Sequence, residues 1–162
     1  MSPDLEGLLR RLVAADVDFV LVGGFAAVVH GGTMVTQDVD ICCDFGTDNL
    51  LRLDEALRGL RPVHRMTPQR LPLQMTAELC RGLKILYLAT SCGQLDCLSE
   101  VNGLGAFDQV SAQSEMVELP WGVMRVLTLD ALITAKRAMN RPRDREAVVQ
   151  LECIRERIAG EC

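Results

Sequence analysis

The chain has 162 residues, of which 49% are hydrophobic, 24% charged and 4% aromatic, with a formal net charge of −5. This is the size of one domain, large enough to bury a core that must be aliphatic, built from Leu, Val, Ile and Met. The acidic balance excludes the broad basic footprint of a duplex-DNA binder, and no apolar stretch is long enough to cross a bilayer.

The elements follow in chain order. Asp4 to Ala15 places Leu5, Leu8, Leu9 and Leu12 at helical spacing and predicts an amphipathic helix. Asp16-Val17-Asp18 turns into an apolar strand, Phe19 to Val22. Gly23-Gly24 follows, then a short helix from Phe25 to His30 that Gly31-Gly32 stops. Gln37 to Cys42 predicts a second strand. Asp48 to Gly59 predicts a helix with Leu50, Leu53, Leu57 and Leu60 on one side. Arg61 to Arg81 holds Pro62, Pro68 and Pro72 and shows no clean period; a short strand and an exposed loop are expected there. Lys84 to Ala89 and Gln94 to Leu98 read as strands, and Asn102 to Phe107 as a loop. Glu115–Leu119 and Val123–Leu127 form a hairpin about Pro120-Trp121-Gly122. Thr128-Leu129-Asp130 opens a helix to about Met139, Pro142 breaks it, and a last helix runs from about Arg143 to Ile158. The expected fold class is α/β or α+β, a mixed sheet flanked by helices. One domain over 1–162 is expected, with a core at about 17–128 and C-terminal helices at 129–158.

The seven cysteines (Cys42, Cys43, Cys80, Cys92, Cys97, Cys153 and Cys162) include no Cys-x-x-Cys pair, and there are only two His. They read as reduced, structural thiols, most of them in apolar surroundings where Cys behaves as a small hydrophobe. The N-terminus lacks the basic and apolar regions of a signal peptide, so a cytoplasmic location is expected.

The chemistry concentrates in three places. Side chains two apart on a strand share a face, so Asp38 and Asp40 point one way while Val39 and Ile41 point into the core. Two neighbouring carboxylates raise each other's pKa unless a cation sits between them, and hard oxygens at this spacing suit Mg²⁺. The Gly23-Gly24 turn opens a helix, whose free N–H groups favour phosphate. A phosphate site on one element and a metal site on the next are what a nucleoside triphosphate needs. The third place is Asp96, a charge inside the apolar strand Leu95-Asp96-Cys97-Leu98. Either an Arg pairs with it, or its strand face is exposed, or its strand lies beside Asp38 and Asp40 so that three carboxylates surround one or two metals.

Gly23-Gly24, His30-Gly31, Thr36-Gln37-Asp38-Val39-Asp40 and Leu95-Asp96-Cys97-Leu98 resemble the nucleotidyltransferase superfamily typified by DNA polymerase β. Among its members the chain looks most like small bacterial ones, the abortive-infection toxin nucleotidyltransferases and the aminoglycoside or lincosamide nucleotidyltransferases. The stretch from Leu129 through Lys136 to Arg143-Asp144 resembles the toxin-like branch. Met34 stands where members often carry an Arg. The resemblance implies a nucleotidyltransferase fold and a Mg-dependent transferase that moves a nucleoside monophosphate from an NTP, such as ATP, to a hydroxyl acceptor and releases pyrophosphate. It implies that Asp38, Asp40 and Asp96 are catalytic and hold two Mg²⁺ (or Mn²⁺) ions. It assigns Gly23, Gly24, Thr36 and Lys136 to the nucleotide. The acceptor is open among a tRNA end, a protein hydroxyl and a small molecule, and a protein partner such as an antitoxin, or a homodimer, fits the analogy. The competing reading is a nucleotide- or partner-binding regulatory module on the same fold, without catalysis.

Overall fold

The computed structural model describes residues 3–160. Alternation along Asp38–Cys43 (β2) has the expected consequence: Val39 and Ile41 are fully buried, and Asp38 and Asp40 are half-buried on the opposite face. Phe19–Val22 (β1) is buried along its whole length and runs antiparallel to β2, with Val22 opposite Asp40. The remaining strands of this sheet are Val63–His64 (β3), Ile85–Thr90 (β4), Gly93–Leu98 (β5), Ser114–Leu119 (β8) and Gly122–Leu127 (β9). A separate two-stranded ribbon is made by Glu100–Val101 (β6) and Gly105–Ala106 (β7). The seven-stranded sheet has the order β3-β4-β5-β2-β1-β9-β8 and is mixed: β2 pairs β5 and β1 pairs β9 in parallel, and the other pairs are antiparallel.

Helices complete an α+β architecture. Leu5–Ala14 (α1) buries the four leucines that the spacing singles out, and its N-cap Asp4 accepts from the Gly7 N–H at 2.9 Å. Thr47–Ala56 (α3) buries Leu50 and Leu53. Asn49, at the start of α3, is a buried polar group with its bonds made. Its Oδ1 accepts from the Asp18 N–H (2.7 Å), and its Nδ2 donates to the carbonyls of Asp18 (3.0 Å) and Asp44 (2.7 Å). Leu129–Met139 (α6), capped by Thr128, packs on Pro142–Gly160 (α7), and Pro142 occupies the first helical position, where its missing N–H costs nothing.

The structure departs from expectation in three segments. The helix after β1 is Gly23–Val29 (α2), so the two glycines lie in its first turn rather than before it. The proline-rich stretch contains Ala77–Cys80 (α4) as well as β3. The region read as a loop near Phe107 is the β6–β7 ribbon followed by Phe107–Ala112 (α5). Two-residue strands carry no alternation, and helices of four to six residues are too short to show a period.

The described cysteines are all free, and Cys42, Cys43, Cys80 and Cys97 are buried; Cys162 lies outside the described residues. Among the described residues no helix is long and apolar enough to cross a membrane.

Candidate active site

The register of the sheet assembles the site. β2 and β5 run in parallel with Asp40 opposite Asp96, so the distant carboxylate arrives beside the Asp-x-Asp pair. On the other side of β5, Tyr87 of β4 stands opposite Asp96. Arg65 follows β3 directly and hydrogen-bonds through its N–H to the Tyr87 carbonyl at 2.9 Å. Its guanidinium donates to Asp96 Oδ1 at 2.6 Å and lies 5.5 Å from the centre of the Tyr87 ring. Both members of this ion pair are largely covered, at 15% and 14% exposure. Asp96 thus satisfies both readings of a charge in an apolar strand: it pairs with an Arg and it borders the Asp-x-Asp strand. Sequence patterns gave no sign of Arg65, which sits in the stretch without a clean period.

The two glycines have packing roles. Gly23 adopts φ +69°, and a Cβ there would run into the Asp40 carboxylate. A Cβ on Gly24 would lie 3.3 Å from Thr36 Oγ1. Thr36 Oγ1 donates to the Asp38 carbonyl at 3.1 Å, bracing the start of β2.

A cleft of about 600 Å³ joins these residues to the C-terminal helices. Gly23, Asp38, Asp40 and Asp96 line it together with Arg65, Lys136, Arg141 and Arg143. Lys136 reaches Asp144 Oδ1 at 3.5 Å. Asp144 is 1% exposed and takes Arg141 Nε at 2.6 Å, Arg141 Nη2 at 3.2 Å and the Arg141 N–H at 3.1 Å, a capping-box bond at the start of α7. Arg141 lowers the Asp144 carboxyl to about 2, helped by Lys136. Gly24 and Thr36 do not line the cleft directly; they stand behind Gly23 and Asp38. His30 is structural, its Nε2 2.8 Å from the Leu127 carbonyl.

Electrostatics mark the carboxylate row as short of positive charge. Burial first, then the Asp96 and Asp38 charges and a hydrogen bond with Asp96, push the Asp40 carboxyl up to about 7. Lys136 acts in the opposite direction. Burial and Asp96 raise Asp38, and Arg65 partly offsets them. A divalent cation would relieve this, and the donor set is hard oxygen, so Asp38 and Asp40 fit one as a two-carboxylate clamp. Among the described residues no three His, Cys, Asp or Glu side chains close around a common metal position; Asp96 is already engaged by Arg65.

No family model matches the chain, and no curated protein matches it in sequence. Solved structures do. JHP933 from Helicobacter pylori aligns with a TM-score of 0.43 and 16% identity over 82% of this chain and 52% of its own. A candidate nucleotidyltransferase from H. pylori aligns with a TM-score of 0.44 and 16% identity over 82% and 54%. A candidate nucleotidyltransferase from Thermotoga maritima, TM1012, aligns with a TM-score of 0.48 and 13% identity over 96% and 91%. The chain spans about half the length of the two H. pylori proteins.

Proposed function

We propose that the chain is a metal-dependent nucleotidyltransferase that transfers a nucleoside monophosphate from an NTP to a hydroxyl acceptor and releases pyrophosphate. One observation carries the reading: the Asp40–Asp96 register sets a third carboxylate beside the Asp-x-Asp pair in a cleft that also holds Lys136, Arg141 and Arg143. Asp38 and Asp40 are the residues that hold Mg²⁺ or Mn²⁺. When bound, the ion neutralises charge on the phosphates and on the leaving pyrophosphate. The rest falls to the chain's own groups. The backbone N–H of Gly23, which lines the cleft, receives a phosphate oxygen, Gly24 supports it from behind, and Thr36 keeps Asp38 in place. Lys136, held by Asp144, offers its charge to the triphosphate. Asp96, its Oδ1 held by Arg65, accepts the hydrogen bond of the acceptor hydroxyl and draws off its proton. The acceptor class stands open among an RNA end, a protein and a small molecule. The toxin-like resemblance adds a protein partner to the proposal.

Calorimetric titration of each NTP with Mg²⁺ into wild type and Asp38→Asn/Asp40→Asn tests this. Wild type is expected to bind a triphosphate only with metal, and the double variant not at all. Failure of wild type to bind any NTP removes the reading.

A binding module without catalysis is favoured by one feature, the capture of Asp96 by Arg65. It would bind NTP with metal yet release no pyrophosphate with any acceptor.

A further inference from the structure

Asp40, Asp96, Tyr87 and Arg65 stand in a row across β2, β5, β4 and the end of β3. The guanidinium at the end of the row is not a loosely tethered surface charge. Its own backbone N–H is fixed to the Tyr87 carbonyl, its Cζ lies over the Tyr87 ring 5.5 Å from the centroid, and Nη1 also reaches the Leu88 carbonyl at 3.4 Å. A 2.6 Å charge-assisted bond in a mostly covered position is strong and costly to break. Asp96 thus already holds a cation, while among the described residues neither Asp38 nor Asp40 has an ion-pair partner.

We propose that Arg65 is the built-in counter-ion of Asp96 and takes the place of one metal ion, so that the centre binds a single divalent cation through Asp38 and Asp40. Arg65 is in this sense a positioning residue: its guanidinium holds Asp96 Oδ1 at 2.6 Å, and Asp38 and Asp40 are left to the metal. The inference rests on the metal-dependent reading above and replaces the two ions that the resemblance implies with one ion and one guanidinium.

Mn²⁺ binding to the full chain, counted by electron paramagnetic resonance, tests it without any turnover. Wild type is expected to bind one Mn²⁺ per chain. Asp40→Asn is expected to weaken that ion about tenfold or more, and Asp96→Asn to change it by less than about threefold. Arg65→Met is expected to gain a second Mn²⁺, which Arg65→Met/Asp96→Asn loses again. Arg65→Lys keeps the charge and stays at one ion, and melting by circular dichroism verifies that each variant is folded. Two ions in wild type, the second lost in Asp96→Asn, would overturn the inference and leave the metal-dependent reading standing. A single ion in Arg65→Met would also overturn it. Absence of Mn²⁺ binding in wild type and in Arg65→Met would overturn both.

Discussion

Asp40 and Asp96 stand opposite each other on neighbouring parallel strands, and the Asp96 charge helps to raise the Asp40 carboxyl. Two ionised carboxylates cannot sit so close without a cation or a shared proton. Arg65 supplies positive charge on the Asp96 side, and the Asp40 side is left with the deficit that raises its pKa.

That deficit gives the metal-free protein a definite pH dependence. Asp40 titrates near 7 in the folded chain against an ordinary value of 3.8, so the folded state holds more protons than the unfolded one between about 4 and 7. Its contribution to stability therefore falls as pH rises through that window. Melting of chelator-treated protein is expected to show this loss between pH 5 and 7.5, and Asp40→Asn to flatten it and raise the melting temperature at pH 7.5 by a few degrees. Added Mg²⁺ should stabilise wild type and leave the variant unmoved. Identical slopes for the two proteins would sink the claim.

Gly23 must tolerate φ +69° and leave room for the Asp40 carboxylate. Gly23→Ala is expected to cost about 1–3 kcal/mol and to displace Asp40. Denaturant titration checks the first effect, and loss of metal-dependent NTP binding checks the second. Gly24→Ala, whose Cβ meets the Thr36 side chain at 3.3 Å, is expected to be the milder change.

Asp144 joins the start of α7 to Lys136 of α6, and its folded pKa of about 2 lies below the ordinary 3.8. A depressed carboxylate contributes stability that is present above about 3.8 and lost as pH falls toward 2. Asp144→Asn weakens the charge-assisted bonds from the partly exposed Arg141 and Lys136 and is expected to cost about 2 kcal/mol, with much less acid sensitivity below pH 4. Equal acid unfolding curves for variant and wild type would contradict this.

Asn49 closes three backbone hydrogen bonds between the entry to β1 and the entry to α3. Asn49→Leu keeps the volume and strands those groups, so a loss of about 2–4 kcal/mol is expected. Below its melting temperature the variant should bind Mn²⁺ as wild type does, because Asn49 does not line the cleft. A change in Mn²⁺ affinity without a change in stability would refute the assignment.

The local rules of the chain determined much of this protein. A period of two in Asp38-Val39-Asp40-Ile41 dictates that both carboxylates leave the core together, and a period near 3.6 in Leu5, Leu8, Leu9 and Leu12 dictates α1. Thr128 and Pro142 mark the starts of α6 and α7 because caps and fixed φ angles act within one turn. What pairs with what was decided by the tertiary structure. Asp96 could have met solvent, an arginine or the Asp-x-Asp strand; only the β2–β5 register brings Asp40 opposite it. Arg65 comes from a stretch with no period, and its partner is 31 residues away. Lys136 and Asp144 lie on different helices that meet only when α6 packs on α7. Strand register and helix packing depend on burying many side chains at once, and that sum is not written at any one position.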